Sequence, residues 1–315
     1  MFLNHILQQL KHKYGAWRHD RAARGVLDTP PIVAADDGLV LFSMMGTRVL
    51  LPYLVAVKSL HAQLRRGRII ILNDGTLSQQ DRAILAYHCD NPVIIEMSDI
   101  DTAPCPKGNC WERLLAILDT RAANYVIQLD SDTVTTGPVP EILEAIAANR
   151  SFTLGGGADA VAHGFLSPDG IGRIFYPDGP LSNHVQHISE PALVKLPDAA
   201  QVRYIRGCAG FAGFAKNDGG RARAVSFSQS MTTLIGDKWN EWGSEQVASN
   251  FVISNDPDPI ILPYSHYINH WDEPVPADVR FWHFVGTYRY HFGTYCRATR
   301  AAIEALRAEG LAVRR

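Results

Sequence analysis

A chain of 315 residues with 46% hydrophobic and 20% charged side chains carries enough apolar material for one large α/β domain or two modest ones. A formal net charge of −2 and a pI near 6.6 exclude a globally basic nucleic-acid binder. No apolar run approaches the ~20 residues that span a bilayer, and the opening MFLNHILQQLKHKYG lacks the basic start and cleavage site of a secretory signal.

Residues 1–25 read as a helix, with Phe2, Leu3, Ile6, Leu7 and Leu10 at helical spacing. Lys11, Lys13, Arg18, Arg21 and Arg24 outnumber Asp20 and make this arm (residues 1–35) basic. The arm either packs on the main domain or touches a membrane surface. Thr29-Pro30-Pro31 breaks the chain between the arm and the main domain.

From Leu39 the pattern alternates. LVLFS, RIIILND, PVIIEM and YVIQLD are short, nearly continuous apolar runs, the signature of strands buried on both faces. Between them VLLPYLVAVKSLHAQL, Leu77–Tyr87 and Trp111–Thr120 read as helices, and Pro140–Ala148 comes after them as another; Ser78, with Asp81 three residues on, is the expected cap of the second. The alternation predicts a mostly parallel, Rossmann-like α/β sheet with helices on both faces, whose ligands bind beyond the carboxyl ends of the strands. After residue 150 the chain becomes rich in turns, aromatics and histidines, as expected of loops that cover a site. The main domain is expected over 36–295, with a nucleotide-binding half at 36–150 and an acceptor half at 151–295. A basic helix, with Arg297, Arg300, Arg307, Arg314 and Arg315, closes the chain at 296–315.

The five cysteines (Cys89, Cys105, Cys110, Cys208 and Cys296) are odd in number and dispersed, with no paired spacing for zinc. They read as reduced thiols of a cytoplasmic protein.

The sharpest local signal is Leu129-Asp130-Ser131-Asp132-Thr133, directly after an apolar strand. Two carboxylates on a tight turn suit a hard divalent cation that keeps positions open for phosphate oxygens, and such a cation neutralises a departing diphosphate. The bland alternative is that the aspartates only end a strand. Arg113 stands upstream, near the start of the helix that feeds this strand, and His283-Phe-Val-Gly286-Thr-Tyr-Arg289 stands far downstream. An imidazole can ligate a metal, a glycine admits backbone to phosphate, and an arginine fork holds a diphosphate. His283 taken alone reads equally as a core histidine.

Taken together these residues resemble the nucleotide-diphospho-sugar glycosyltransferases, and most closely glycosyltransferase family 8, which includes glycogenin and bacterial lipopolysaccharide galactosyltransferases. Trp111-Glu-Arg113-Leu114 followed by YVIQLDSDTV resembles the family's Arg-Leu helix and its strand ending in Asp-x-Asp. Cys208-Ala-Gly210 resembles its Asn-x-Gly strand, Glu245-Gln246 with Asn250 its Asp-Gln…Asn helix, and His283-x-x-Gly286-x-x-Arg289 its His-x-x-Gly-x-x-Lys. Cys208, Glu245 and Arg289 depart from the family's Asn, Asp and Lys, and Tyr290-His291 stands where Pro-Trp is usual.

The resemblance implies the GT-A architecture and a hexose moved from a nucleotide-diphosphate sugar, UDP-linked, to a saccharide or lipid-linked glycan. It implies Mn²⁺ or Mg²⁺ on Asp130, Asp132 and His283, with Asp130 also near the ribose. By position Ser43, Gly46 and Asp74 approach the nucleoside, Arg113 and Gly210 the donor, and Gly286 and Arg289 the diphosphate. Glu245 and Gln246 are the expected groups near the anomeric carbon, with retention if the family carries over and inversion if Glu245 is a base. Other readings are a haloacid-dehalogenase-type phosphatase using Asp130 and Asp237, a sugar nucleotidyltransferase echoed by Gly46-Thr47-Arg48, and a non-catalytic nucleotide-sugar-binding domain. The basic termini suggest peripheral contact with the inner face of a membrane, and no nucleic-acid partner is expected.

Overall fold

The computed structural model describes residues 2–313, and side-chain surroundings for residues 10–310. In chain order the elements begin with α1 (Phe2–Ala23), β1 (Leu39–Met45), α2 (Leu50–Leu64), β2 (Arg68–Asn73), α3 (Gln79–His88), β3 (Val93–Glu96), α4 (Trp111–Thr120) and β4 (Tyr125–Leu129). They continue with β5 (Thr133–Thr135), α5 (Pro140–Ala147), β6 (Phe152–Gly155), α6 (Ala158–His163), α7 (Pro168–Phe175), α8 (Val185–Ala192) and β7 (Gly207–Phe214). Last come α9 (Ala222–Ile235), α10 (Ser244–Ser254), β8 (Ile260–Ile261), β9 (Tyr267–Asn269), β10 (Phe281–His283) and α11 (Thr294–Val313).

The apolar runs form a seven-stranded sheet ordered β3-β2-β1-β4-β7-β6-β8. The first four strands pair in parallel, β7 runs antiparallel to both β4 and β6, and β6 pairs in parallel with β8. Strands from both sides of residue 150 thus share one sheet. Its continuous apolar composition reflects burial on both faces: Leu39 and Leu41 of β1 enter one core, Val40 and Phe42 the other. Each such side chain contributes ~1.5–3 kcal/mol on full burial, so these two layers dominate the fold's stability. The expected cap of α3 is present as a reciprocal box, Ser78 N donating to Asp81 Oδ2 at 2.9 Å and Asp81 N to Ser78 Oγ at 3.2 Å.

A smaller sheet, β5-β10-β9, stands just beyond β4. Its antiparallel register pairs Thr133 with His283, which sets His283 beside the aspartate turn. The helix α1 packs on α11: His19 stacks on Tyr295 with ring centroids 3.6 Å apart, and its Nε2 lies 2.9 Å from Thr299 Oγ1 of α11. Burial and the Arg289 charge hold the His19 pKa at about 3, so it is a neutral packing residue. The side chains of Phe2, Leu3, Ile6 and Leu7, on which the expected apolar face rests, lie outside the described residues, as do Arg314 and Arg315. Arg297, Arg300 and Arg307 are exposed along α11.

Candidate active site

At the carboxyl end of β4 the backbone is fixed from both sides. Asp130 N donates to Gly210 O of β7 at 2.9 Å, and Thr133 Oγ1 donates to Asp130 O at 2.9 Å, closing a tight turn. Phe284 N donates to Asp132 O at 2.9 Å, so the small sheet holds the turn's far side. The ligand atoms of Asp130, Asp132 and His283 then lie within 4.8 Å of one another.

The orientation of His283 is set by its neighbour. Asn269 Nδ2 donates to Gly155 O at 2.8 Å and to Gly156 O at 3.2 Å, so its Oδ1 must face the other way, 2.8 Å from His283 Nδ1. Nδ1 therefore carries a proton for Asn269, and Nε2 faces Asp132 Oδ1 at 3.3 Å. Gly210 makes room for the ring, since a Cβ there would stand 2.2 Å from His283 Cε1. Cys208 Sγ lies 3.4 Å from the same Nδ1, where the resemblance would place an asparagine.

Charges are distributed unevenly over this cluster. Burial pushes the Asp130 carboxyl upward, Arg113 pulling against it and Asp132 adding to the rise. Burial also acts on Asp132, but His283 and Arg289 outweigh it and hold that group below the usual range. For His283, burial disfavours the imidazolium, yet Cys208 and Asp132 raise the pKa well above the ordinary value. With Nδ1 engaged by Asn269, Nε2 is the ring nitrogen left to face a cation beside Asp132. Two carboxylates and one imidazole with a fixed tautomer form a donor set that fits a divalent cation.

Arg113 is the hub behind the metal candidates. Buried in α4, it bonds Asp130 through Nη1 and places Nη2 3.2 and 3.3 Å from the two oxygens of Glu245. Glu245 is the group expected near the anomeric carbon. It is 3% exposed and tied to Arg113 behind the aspartate turn. Burial and the Asp130 charge, opposed by Arg113, push its pKa to about 7. Gln246 is half-buried, Oε1 accepting from Ala209 N at 3.2 Å and Nε2 donating to Gln186 Oε1 at 3.1 Å.

The remaining expected residues divide. Arg289 bonds Asp132 through Nη2 and Phe284 O through Nε at 3.0 Å, and the exposed Gly286 opens the single turn that leads to it. Ser43 is 1% exposed and its hydroxyl donates to Leu129 O at 2.7 Å, tying β1 to β4. Gly46 and Asp74 form a rim at the ends of β1 and β2, where a Gly46 Cβ would stand 2.1 Å from Asp74 Oδ1. That carboxylate already accepts from Thr76 N at 3.0 Å and Thr76 Oγ1 at 2.6 Å. Asn269 and Gln186 were not singled out by sequence, because an asparagine ending a three-residue strand and a glutamine in a short helix carry no local signal.

No family model matches this sequence, and no curated protein is similar to it. The α/β fold is that of the GT-A glycosyltransferases. A structure of the galactosyltransferase LgtC in complex with donor and acceptor sugar analogues superposes with a TM-score of 0.53 at 14% identity, covering 86% of this chain and 95% of that one. An active-site mutant of LgtC superposes with a TM-score of 0.52 at 12% identity, covering 84% and 95%. At such identities the shared property is the fold.

Proposed function

We propose that this chain is a metal-dependent glycosyltransferase that moves a hexose from a UDP-linked donor to a saccharide or lipid-linked glycan, with retention. One observation carries the reading: Asp130, Asp132 and His283 converge within 4.8 Å at the carboxyl end of a central strand, beside Arg289. A bound Mn²⁺ or Mg²⁺ would neutralise the leaving diphosphate there. Arg289 adds a guanidinium on the same side, and its fork suits phosphate oxygens. Asn269 holds the His283 tautomer that leaves Nε2 for the cation. Retention is supported by the state of Glu245, the carboxylate an inverting reaction would use as its base: it is buried, with both oxygens on Arg113.

The phosphatase reading draws no support from the site. Its nucleophile Asp130 is bonded to Arg113, and Asp237 is exposed in the turn after α9. The decisive titration is of UDP into the protein by calorimetry, first with Mn²⁺ and then with EDTA. Binding is expected with the metal and should weaken at least about tenfold on chelation, because the diphosphate loses its counter-charge. Absent binding in both conditions, or equal binding in both, would overturn the proposal.

We also infer peripheral contact with an anionic membrane through α1. Leu10, Tyr14 and Trp17 are exposed at helical spacing, with Arg18 5.7 Å from the Tyr14 ring centroid and Arg21 5.9 Å from that of Trp17. Aromatic rings flanked by arginines suit the interface between headgroups and acyl chains. No described helix is long and apolar enough to cross a membrane. The protein is expected to float with phosphatidylglycerol vesicles and much less with phosphatidylcholine, and Trp17→Ser should reduce flotation. Equal partition between the two vesicle types would refute the contact.

A further inference from the structure

Trp242 takes no part in the cluster around Asp130, but it lies on the same chain segment as Glu245 and Gln246. It is 67% exposed, immediately before the glycine that opens α10, three residues ahead of Glu245. A single exposed apolar side chain needs no explanation in itself, but this one has organised neighbours. The His184 ring meets the indole edge-on with centroids 5.7 Å apart, and His187 stands 5.9 Å beyond His184. Gly243, at φ 104°, lies under His184 so closely that a Cβ would meet Cε1 at 2.9 Å. The indole is therefore held against α8 rather than free in solvent.

That helix is coupled to the candidate catalytic turn. Gln186 Oε1 accepts from Gln246 Nε2 at 3.1 Å, and Gln186 Nε2 donates to Glu190 Oε1 at 2.7 Å. Glu190 is fully buried and also accepts from Tyr204 Oη at 3.1 Å and Arg206 Nε at 2.9 Å, so the anchor is rigid. The two histidines are held below their ordinary pKa, His184 by burial and then by His187 and Lys238, His187 by burial and then by Arg206. Both imidazoles are neutral at pH 7. His184 Nδ1 accepts from Gln186 N at 3.2 Å and His187 Nδ1 lies 2.8 Å from Ser182 Oγ, and neither Nε2 has a hydrogen-bond partner among the described residues. The nearby ammonium of Lys238 is paired with Glu241 at 2.7 Å.

We infer that Trp242, His184 and His187 form the platform for a neutral hexose ring of the acceptor, beside Gln246. This rests on the proposed glycosyl transfer and names the acceptor's chemistry. The indole offers a flat apolar face for the C–H face of a sugar ring, and the two imidazole Nε2 atoms offer hydrogen bonds to its hydroxyls. Uncharged partners suit hydroxyls, whereas a phosphate would call for arginine or lysine.

The test uses ligand-observed saturation-transfer NMR with the full chain, Mn²⁺ and UDP, and a panel of α- and β-methyl hexosides. At least one hexoside should bind the wild type, with affinity falling about tenfold in Trp242→Ala and returning in Trp242→Phe. Unfolding temperature checks the fold of both variants, which alter an exposed side chain. If no hexoside binds the wild type, or Trp242→Ala binds as well as the wild type, the platform is refuted. It is also refuted if the substitution weakens UDP instead, because the indole would then stack on the base. Failure of UDP to bind the wild type counts against glycosyl transfer, while the hexoside signal still decides the platform.

Discussion

Replacing Asp132 with alanine is expected to lower Mn²⁺-supported sugar transfer by about 10³-fold or more. Its carboxylate has three tasks at once: it supplies a ligand oxygen to the cluster, accepts from Arg289, and faces His283 Nε2 at 3.3 Å. On the proposed function, the alanine variant would lose one cation ligand and free the Arg289 guanidinium from its carboxylate partner. Asp132→Asn keeps an oxygen but not the charge, so its activity should fall between the two. Transfer of radiolabelled hexose, or acceptor-free donor hydrolysis, measures this at saturating Mn²⁺. A variant within tenfold of wild type would show that the aspartate turn only ends a strand.

Much of this architecture was legible because burial on two faces writes continuous apolar runs. LVLFS, RIIILND and YVIQLD became β1, β2 and β4, and Trp111–Thr120 became α4 with the expected limits. The cap of α3 was legible because it depends on residues three apart. What depends on distant partners was not. The antiparallel β7 lies between β4 and β6 although GCAGFAGF has no pattern that chooses its neighbours. His283 meets Asp132 only through the register of β5 and β10, each three residues long. A likeness to known motifs pointed to His283, but the reason for its fixed tautomer, Asn269, appears only in three dimensions. Ser43 was expected at a ligand because it ends an apolar run, yet β1 continues to Met45 and encloses it. Glu245 was expected near the anomeric carbon through the likeness of Glu245-Gln246 to a family motif, and local sequence could not show its contact with Arg113.

Arg113→Ala is expected to destabilise the fold by about 3–5 kcal/mol above neutral pH, because a buried ion pair loses one partner and Glu245 stays behind, 3% exposed. The size of that loss should depend on pH. Glu245 has a native pKa of about 7 against an ordinary 4.5, so the folded state binds its proton more tightly than the unfolded chain does. Its contribution to stability is then fully present below about 4.5 and is lost as pH rises through about 7. Arg113 pulls that pKa down, so without it the native value rises further and the loss with pH becomes larger. The gap in unfolding free energy between wild type and Arg113→Ala should therefore be small near about pH 5 and widen toward about pH 8. Denaturant unfolding in EDTA at both ends of this range measures the gap without a metal contribution. A gap independent of pH would mean that the guanidinium does not act on the titration of Glu245. Arg113→Lys is expected to recover only part of the loss, since one ammonium cannot reproduce the fork that reaches Asp130 through Nη1 and Glu245 through Nη2.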